Sequence, residues 1–264
     1  MSLHNFEPPY RYPSPESERH PDVQALFDVY GETLHSEARV MYPDPSRGEQ
    51  EIHHTLFNSL AQDKLAGAYT ALVDGAFDVP HDNHEWYLRH CRMLAAKRML
   101  ETRNLLPTTQ ALREAVASSQ LRLIVTVDAD AKVAAKKGGK AEKGGIPRPV
   151  YPWQSRAHRL AGYHFTDHYG QNHQTVDYVT VEGDPGHHGT PLESSLTLAE
   201  SLAAHGLLDS TIVYGEHAGT IQDAVRRGLD PIVIPNDQYT YAVDPRTQEE
   251  YRSSDIIKMI RKGE

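Results

Sequence analysis

Short apolar runs closed by Asp, Glu, Gly or Pro alternate along this chain with longer stretches whose apolar residues recur at helical spacing. Residues 69–73 (YTALV), 121–127 (LRLIVTV), 175–181 (TVDYVTV), 210–214 (STIVY) and 231–235 (PIVIP) read as buried strands. Residues 83–100, 191–205 and 217–227 carry the helical period. Strands in alternation with helices predict an open, mostly parallel α/β sheet with helices on both faces and a site at the carboxyl ends of the strands. The first 65 residues break this rhythm. Residues 1–21 are rich in Pro, Tyr, Glu and His without a core-forming period. Residues 23–34 and 49–60 have the spacing of amphipathic helices, joined by a turn-like stretch at 42–48. Residues 1–65 are therefore expected to form a partly irregular, helical N-terminal extension, and 66–264 the main domain. Three roles are open to the extension: a dimerisation element that makes a homodimer, a cap over the acceptor site, or extra packing.

The chemistry concentrates at residues 71–92, where the first strand run ends in Gly75-Ala76-Phe77-Asp78 and two histidines follow at the start of a helix. Gly75 has no Cβ, so a ligand can approach its backbone closely. The helix begins just beyond, and its unpaired N–H groups and positive dipole end favour an anion there. His81 and His84, three residues apart, then face one ligand from the loop and from the first helical turn. Two donors converging on a phosphate stabilise charge that builds up during group transfer.

Gly75-Ala76-Phe77-Asp78-Val79-Pro80-His81-Asp82-Asn83-His84 resembles the G-x-F-D-x-x-H-x-G-H signature of the HxGH nucleotidyltransferase superfamily, which follows the first strand of a Rossmann-like sheet. Asn83 stands where the family has glycine; Asn tolerates left-handed backbone and favours helix N-caps. Residues 143–156, from Lys143-Gly144-Gly145 through Arg148-Pro149 to Arg156, are similar to the K-G-x-x-R-P-(x)n-R segment of cytidylyltransferases and sugar-phosphate nucleotidyltransferases. Residues 253–261 (SSDIIKMIR) are similar to the family's closing S-[ST]-[ST]-x-I-[IV]-x-x-I-R motif. The stretch 246–257 also resembles the R-T-x-G-I-S-T-[ST]-x-I-I ending of cytidylyltransferases, with one extra residue and without the glycine.

The resemblance implies a Rossmann-like α/β nucleotidyltransferase domain over residues 66–264, cytidylyltransferase-like, using CTP in preference to ATP. It would transfer a nucleotidyl group to a small phosphate- or phosphonate-bearing acceptor and release pyrophosphate. His81, His84, Lys143 and Arg156 are the implied catalytic residues. Gly75, Ala76, Phe77, Asp78, Arg148, Ser253, Ser254 and Ile256 are the implied nucleotide contacts. Mg2+ would arrive with the triphosphate, as the hard cation suited to phosphate oxygens. On local grounds Ser253 and Ser254 are equally well an ordinary helix N-cap, and the two roles are compatible.

Composition narrows the alternatives. With 264 residues, 39% of them apolar, the chain has material for a substantial core. No run approaches the roughly 18 apolar residues of a membrane helix, and no secretory pattern opens the chain, so a cytoplasmic protein without a membrane partner is expected. Its single cysteine, Cys91, excludes an intramolecular disulfide and a Cys-based zinc cluster. A net charge of −9 argues against nucleic acid as a partner. Locally, Lys132, Lys136, Lys137, Lys140, Lys143, Arg148, Arg156 and Arg159 make a basic stretch. Its Gly/Lys-rich centre, 134–142, reads as a solvated loop or as a lid over phosphate oxygens. Two histidine-rich stretches, 164–173 and 183–189, hold His164, Asp167, His168, His173, His187 and His188, without a recognised zinc spacing. Two rival functions remain: an inactive nucleotide-binding regulatory or interaction protein of the same fold, and a metal-dependent hydrolase built on the histidine-rich stretches.

Overall fold

The computed structural model describes residues 49–80, 82–137, 148–167, 169–182, 195–214 and 218–234. Within them run helix α1 (Glu49–Leu65), strand β1 (Tyr69–Gly75), α2 (Asp82–Thr102), α3 (Thr109–Ala117), β2 (Leu121–Asp128), α4 (Asp130–Lys137) and α5 (Trp153–Ala161). A short hairpin of β3 (His164–Thr166) and β4 (Asn172–Gln174) follows, then β5 (Tyr178–Glu182), α6 (Ser195–Ala204), β6 (Ser210–Tyr214), α7 (Ala218–Arg226) and β7 (Pro231–Ile234). Five strands form one parallel sheet in the order β5-β2-β1-β6-β7, and β3 pairs with β4 separately, antiparallel.

This is an open α/β, Rossmann-like fold, and the strand sequences explain it. Parallel strands covered on both faces must be apolar on both. Ala71 and Val73 of β1, with Leu121, Leu123, Val125 and Val127 of β2, enter a core shared with Trp86, Leu88 and Met99 of α2, Val116 of α3 and Leu160 of α5. Leu72 and Ile124 point the other way, into a core with Leu56 and Leu60 of α1, Leu202 of α6 and Ala224 of α7. Helix α1 lies inside the stretch expected to be an extension, yet it covers one face of the sheet. Its end is tied to the strand starts: Arg122 forks onto both carboxylate oxygens of Asp63 at 2.9 Å, and Lys64 reaches Asp209 at 2.5 Å. Asp209 also accepts the backbone N–H of Thr70 at 2.7 Å. The segment expected to be helical at 23–34 lies outside the described residues.

Helix α2 is buried on nearly all sides, because the sheet lies beneath it, α3 beside it and the β3–β4 hairpin against it. Its charged residues therefore need internal partners. Arg89 pairs with Glu85 at 2.6 Å, and Arg92 with Asp177 at 2.5 Å. Cys91 is fully buried in this helix, and the surrounding apolar packing raises its thiol well above the usual range.

Four elements were not foreseen from the pattern: α3, α4, α5 and the hairpin; residues 134–137, expected to open a loop, complete α4. Thr108 caps α3, its side chain accepting from the N–H of Ala111. In α5 the buried positions Ala157, Leu160 and Ala161 stand at helical spacing. The polar stretch 164–173 closes as a hairpin because Asp167 accepts the N–H groups of Tyr169 at 2.9 Å and Gln171 at 2.8 Å, and meets Nε2 of His173 at 2.8 Å. No described helix is long and apolar enough to cross a membrane.

Candidate nucleotide site

In the sheet the chain steps outward from β1 to β2 and β5, then returns to the opposite side of β1 with β6 and β7. The reversal leaves a switch point between β1 and β6, and open α/β sheets bind their ligands in such a crevice, outside the carboxyl ends of the strands. The Gly75-Ala76-Phe77-Asp78 loop leaves β1 at that point. Helix α2 starts four residues past Asp78, with His84 in its first turn.

Phe77 shapes this loop. Its φ of 42° is left-handed, a conformation unfavourable for a bulky residue, and it is held there by packing. The ring is 4% exposed and lies over Gly75, where an added Cβ would meet ring carbons at 2.7 and 2.9 Å. The space that Gly75 leaves open is thus filled by Phe77 and not reserved for a ligand. From the other side His84 sets its ring edge-on to Phe77, centroids 5.2 Å apart at 72°. Phe77 in turn faces Tyr87 at 6.3 Å, and Tyr87 stacks on Tyr214, at the end of β6, at 5.1 Å and 12°. A track of four rings therefore crosses the switch point, with His84 and Tyr214 as its partly exposed ends.

The segment after residue 147 clasps the loop. The buried carboxylate of Asp78 takes the Arg148 guanidinium on one oxygen and the N–H of Val150 on the other, at 2.6 Å. Arg156 is wholly buried and donates to four oxygens: the carbonyls of Ala76, Tyr151 (3.0 Å) and Asp128 (2.7 Å), and Oδ1 of Asp130 (2.8 Å). Asp78, Arg148, Ala76 and Arg156 are thus gathered at one place. Their polar groups are turned on each other, though, and the guanidinium of Arg156 holds the loop from beneath. His81, Lys143, Ser253, Ser254 and Ile256 lie outside the described residues.

Beside the loop is a cluster that the motif reading passed over. Asp128 and Glu182 close adjacent strands in register, and Asp74 stands one residue before the end of β1. Into them reaches Lys132 of α4, 2.8 Å from Asp128 Oδ1 and in close contact with Glu182, while Lys136 lies 3.5 Å from Asp128. Two members of the basic stretch are thereby engaged by strand-end carboxylates. One signal was legible: three strand runs each end in an acid, LVD, VTVD and VTVE.

Burial and the neighbouring charge of Asp74 raise Glu182 to about 8, in spite of Lys132. Burial works against ionisation of Asp128 too, but there Lys132 and Lys136 prevail and its carboxyl is lowered. Burial and Asp74 thus favour the protonated form of Glu182 while Lys132 opposes it. Since that carboxyl starts from 4.5, its contribution to stability is present below about 4.5 and is lost as pH rises toward about 8. Melting curves across this interval should show the wild type falling behind Glu182→Gln, which carries no titrating proton, with the two nearly equal at the acid end. Parallel curves would remove Glu182 as the source.

The histidine-rich stretches do not meet as a metal site in what is described: His164 Nδ1 is bonded to the Gly162 carbonyl oxygen at 2.8 Å and His173 to Asp167. Among the described residues no group of three or more His, Cys, Asp or Glu side chains is arranged to hold an ion; His168, His187 and His188 lie outside them. Comparison of the chain with protein-family models and with curated proteins finds no match to either.

Proposed function

We propose that this protein is a nucleotidyltransferase that moves a nucleotidyl group, CMP in preference to AMP, from a nucleoside triphosphate to a small acceptor bearing a phosphate or phosphonate. The observation that carries this reading is the coincidence, at one switch point, of the Gly75–Asp78 loop, the start of α2 and the His84 ring. In the reaction an acceptor oxygen attacks the α-phosphorus in line. The bond from that phosphorus to the bridging oxygen breaks, and its electron pair leaves with pyrophosphate. An ionised phosphate acceptor needs no general base, so positioning and charge stabilisation supply the catalysis. His84 donates to an α- or β-phosphate oxygen, and His81 is assigned the matching role by its motif position. Lys143, Ser253, Ser254 and Ile256 keep the roles that the resemblance implies. Arg156 is assigned to positioning, because its donors are engaged by the loop and by the end of β2. Magnesium would accompany the triphosphate and offset its charge, as the hard cation suited to phosphate oxygens. A cytoplasmic location belongs to the same proposal.

Nucleotide binding without transfer is the second reading, favoured by the protein partners that Arg148 and Arg156 already have. Pyrophosphate release decides between them. The purified chain is incubated with each of the four nucleoside triphosphates, magnesium and a panel of phosphorylated alcohols, amino-alcohols, sugars and phosphonates. Acceptor-dependent pyrophosphate, greatest with CTP, is expected. Calorimetric binding of a nucleotide without pyrophosphate for any acceptor would establish the second reading, and neither binding nor release would defeat both.

A further inference from the structure

We propose that Tyr214 is the platform on which the nucleobase of the bound nucleotide stacks, with the phosphates extending from it toward His84. The inference rests on the nucleotide reading above and adds the location of the base. Tyr214 ends β6, on the far side of the switch point from the Gly75–Asp78 loop. It is partly exposed, whereas the ring beneath it, Tyr87, is 4% exposed. The two rings are nearly parallel, 12° apart, with centroids 5.1 Å apart. Ring stacking fixes the plane of Tyr214 from below. Tyr87 is itself backed by Phe77, and Phe77 by His84. One rigid track therefore places a flat apolar surface at one end of the crevice and a phosphate donor at the other, as a ligand with a planar base and a charged tail requires.

An aromatic face accepts every base, because every base has a π-face. The platform accordingly contributes affinity and not base choice. This separates it from groups that read the polar edge of the base, and it fixes the form of the test.

Calorimetric titrations of wild type, Tyr214→Phe and Tyr214→Leu are made with CTP, ATP and inorganic tripolyphosphate, each with magnesium. Tyr214→Leu should bind CTP and ATP about tenfold or more weakly, by the same factor for both, because loss of a stacking ring typically costs that much. Its affinity for tripolyphosphate should be unchanged, and Tyr214→Phe should retain wild-type affinity for all three. A direct measurement accompanies the variants: base protons of CTP should shift upfield in the NMR spectrum on binding wild type, from the ring current of the stacked tyrosine. Absence of that shift overturns the platform, and so decides the matter even where Tyr214→Leu fails to fold. Wild-type affinity of folded Tyr214→Leu for nucleotides, or an equal loss for tripolyphosphate, overturns it as well, the latter because the ring would then act through the scaffold. These outcomes leave the nucleotide reading standing, whereas a wild-type protein that binds no nucleotide defeats both.

Discussion

Alanine at position 84 is expected to lower nucleotidyl transfer about a hundredfold or more, the usual consequence of removing one preorganised donor from a developing charge, while leaving the fold in place. The expectation comes from where the imidazole is held. His84 stands in the first turn of α2, where helix N–H groups and dipole already favour an anion. Its ring is set edge-on to Phe77 at 5.2 Å, and Phe77 is itself fixed over Gly75 in left-handed backbone. Truncation removes one contact of Phe77 but not its packing on Gly75 and Tyr87, so little stability should be lost. Pyrophosphate release over a range of nucleotide concentrations up to saturation, with circular dichroism and thermal melting as controls, gives the readout. A loss confined to kcat marks a donor that acts in the transition state, and a loss confined to KM marks one that only binds. Wild-type turnover by a folded His84→Ala protein would remove His84 from the chemistry.

How far the sequence reached is best seen strand by strand. Each of the five apolar runs lies in or overlaps a strand of the parallel sheet, because a strand buried on both faces must be apolar throughout and needs a polar or Gly/Pro terminator. The run at 175–181 started early: the Asp177 carboxylate, paired with Arg92 and Arg122, itself accepts the Leu123 N–H of β2, and β5 begins at Tyr178. Helix α5 was hidden for another reason. Only its first turn, residues 153–156, closes the stretch similar to a phosphate-gripping motif, in which Arg148 and Arg156 read as ligand contacts; the spacing of Ala157, Leu160 and Ala161 lies beyond that stretch. Residue type predicted that cations would gather near the loop. It did not predict which way they would turn, since that depends on oxygens supplied by Ala76, Asp78, Asp128 and Asp130 from other parts of the fold. Glu182 was out of reach for a similar reason. A carboxylate at a strand end is ordinarily solvated, and it is burial in this fold, with Asp74 and Asp128 beside it, that raises Glu182.

Arg156 separates a loop brace from a phosphate contact more sharply than any other residue. A phosphate contact leaves the unliganded protein indifferent to substitution and weakens nucleotide binding. A brace does the reverse: its loss is felt before any ligand is added. The guanidinium is fully buried and joins the β1–α2 loop at Ala76, the end of β2 at Asp128, the start of α4 at Asp130 and its own segment at Tyr151. Arg156→Ala leaves three carbonyl oxygens without this donor in a buried place, and breaking such a charged network typically costs about 3–5 kcal/mol. Arg156→Lys keeps the charge but replaces a planar fork by a point charge with three donors, too few and wrongly directed for four acceptors, so it too should be clearly destabilised. Asp130→Asn should cost far less, because that carboxylate is 40% exposed and can be solvated. Urea midpoints for the three variants without nucleotide, followed by calorimetry with CTP on those that remain folded, give the comparison. The brace requires the order Ala worst, Lys intermediate, Asn nearest wild type. If Arg156→Lys unfolds at the wild-type midpoint yet binds CTP weakly, the guanidinium faces phosphate in the liganded protein, and the loop must then be held by Asp78 and Arg148 alone.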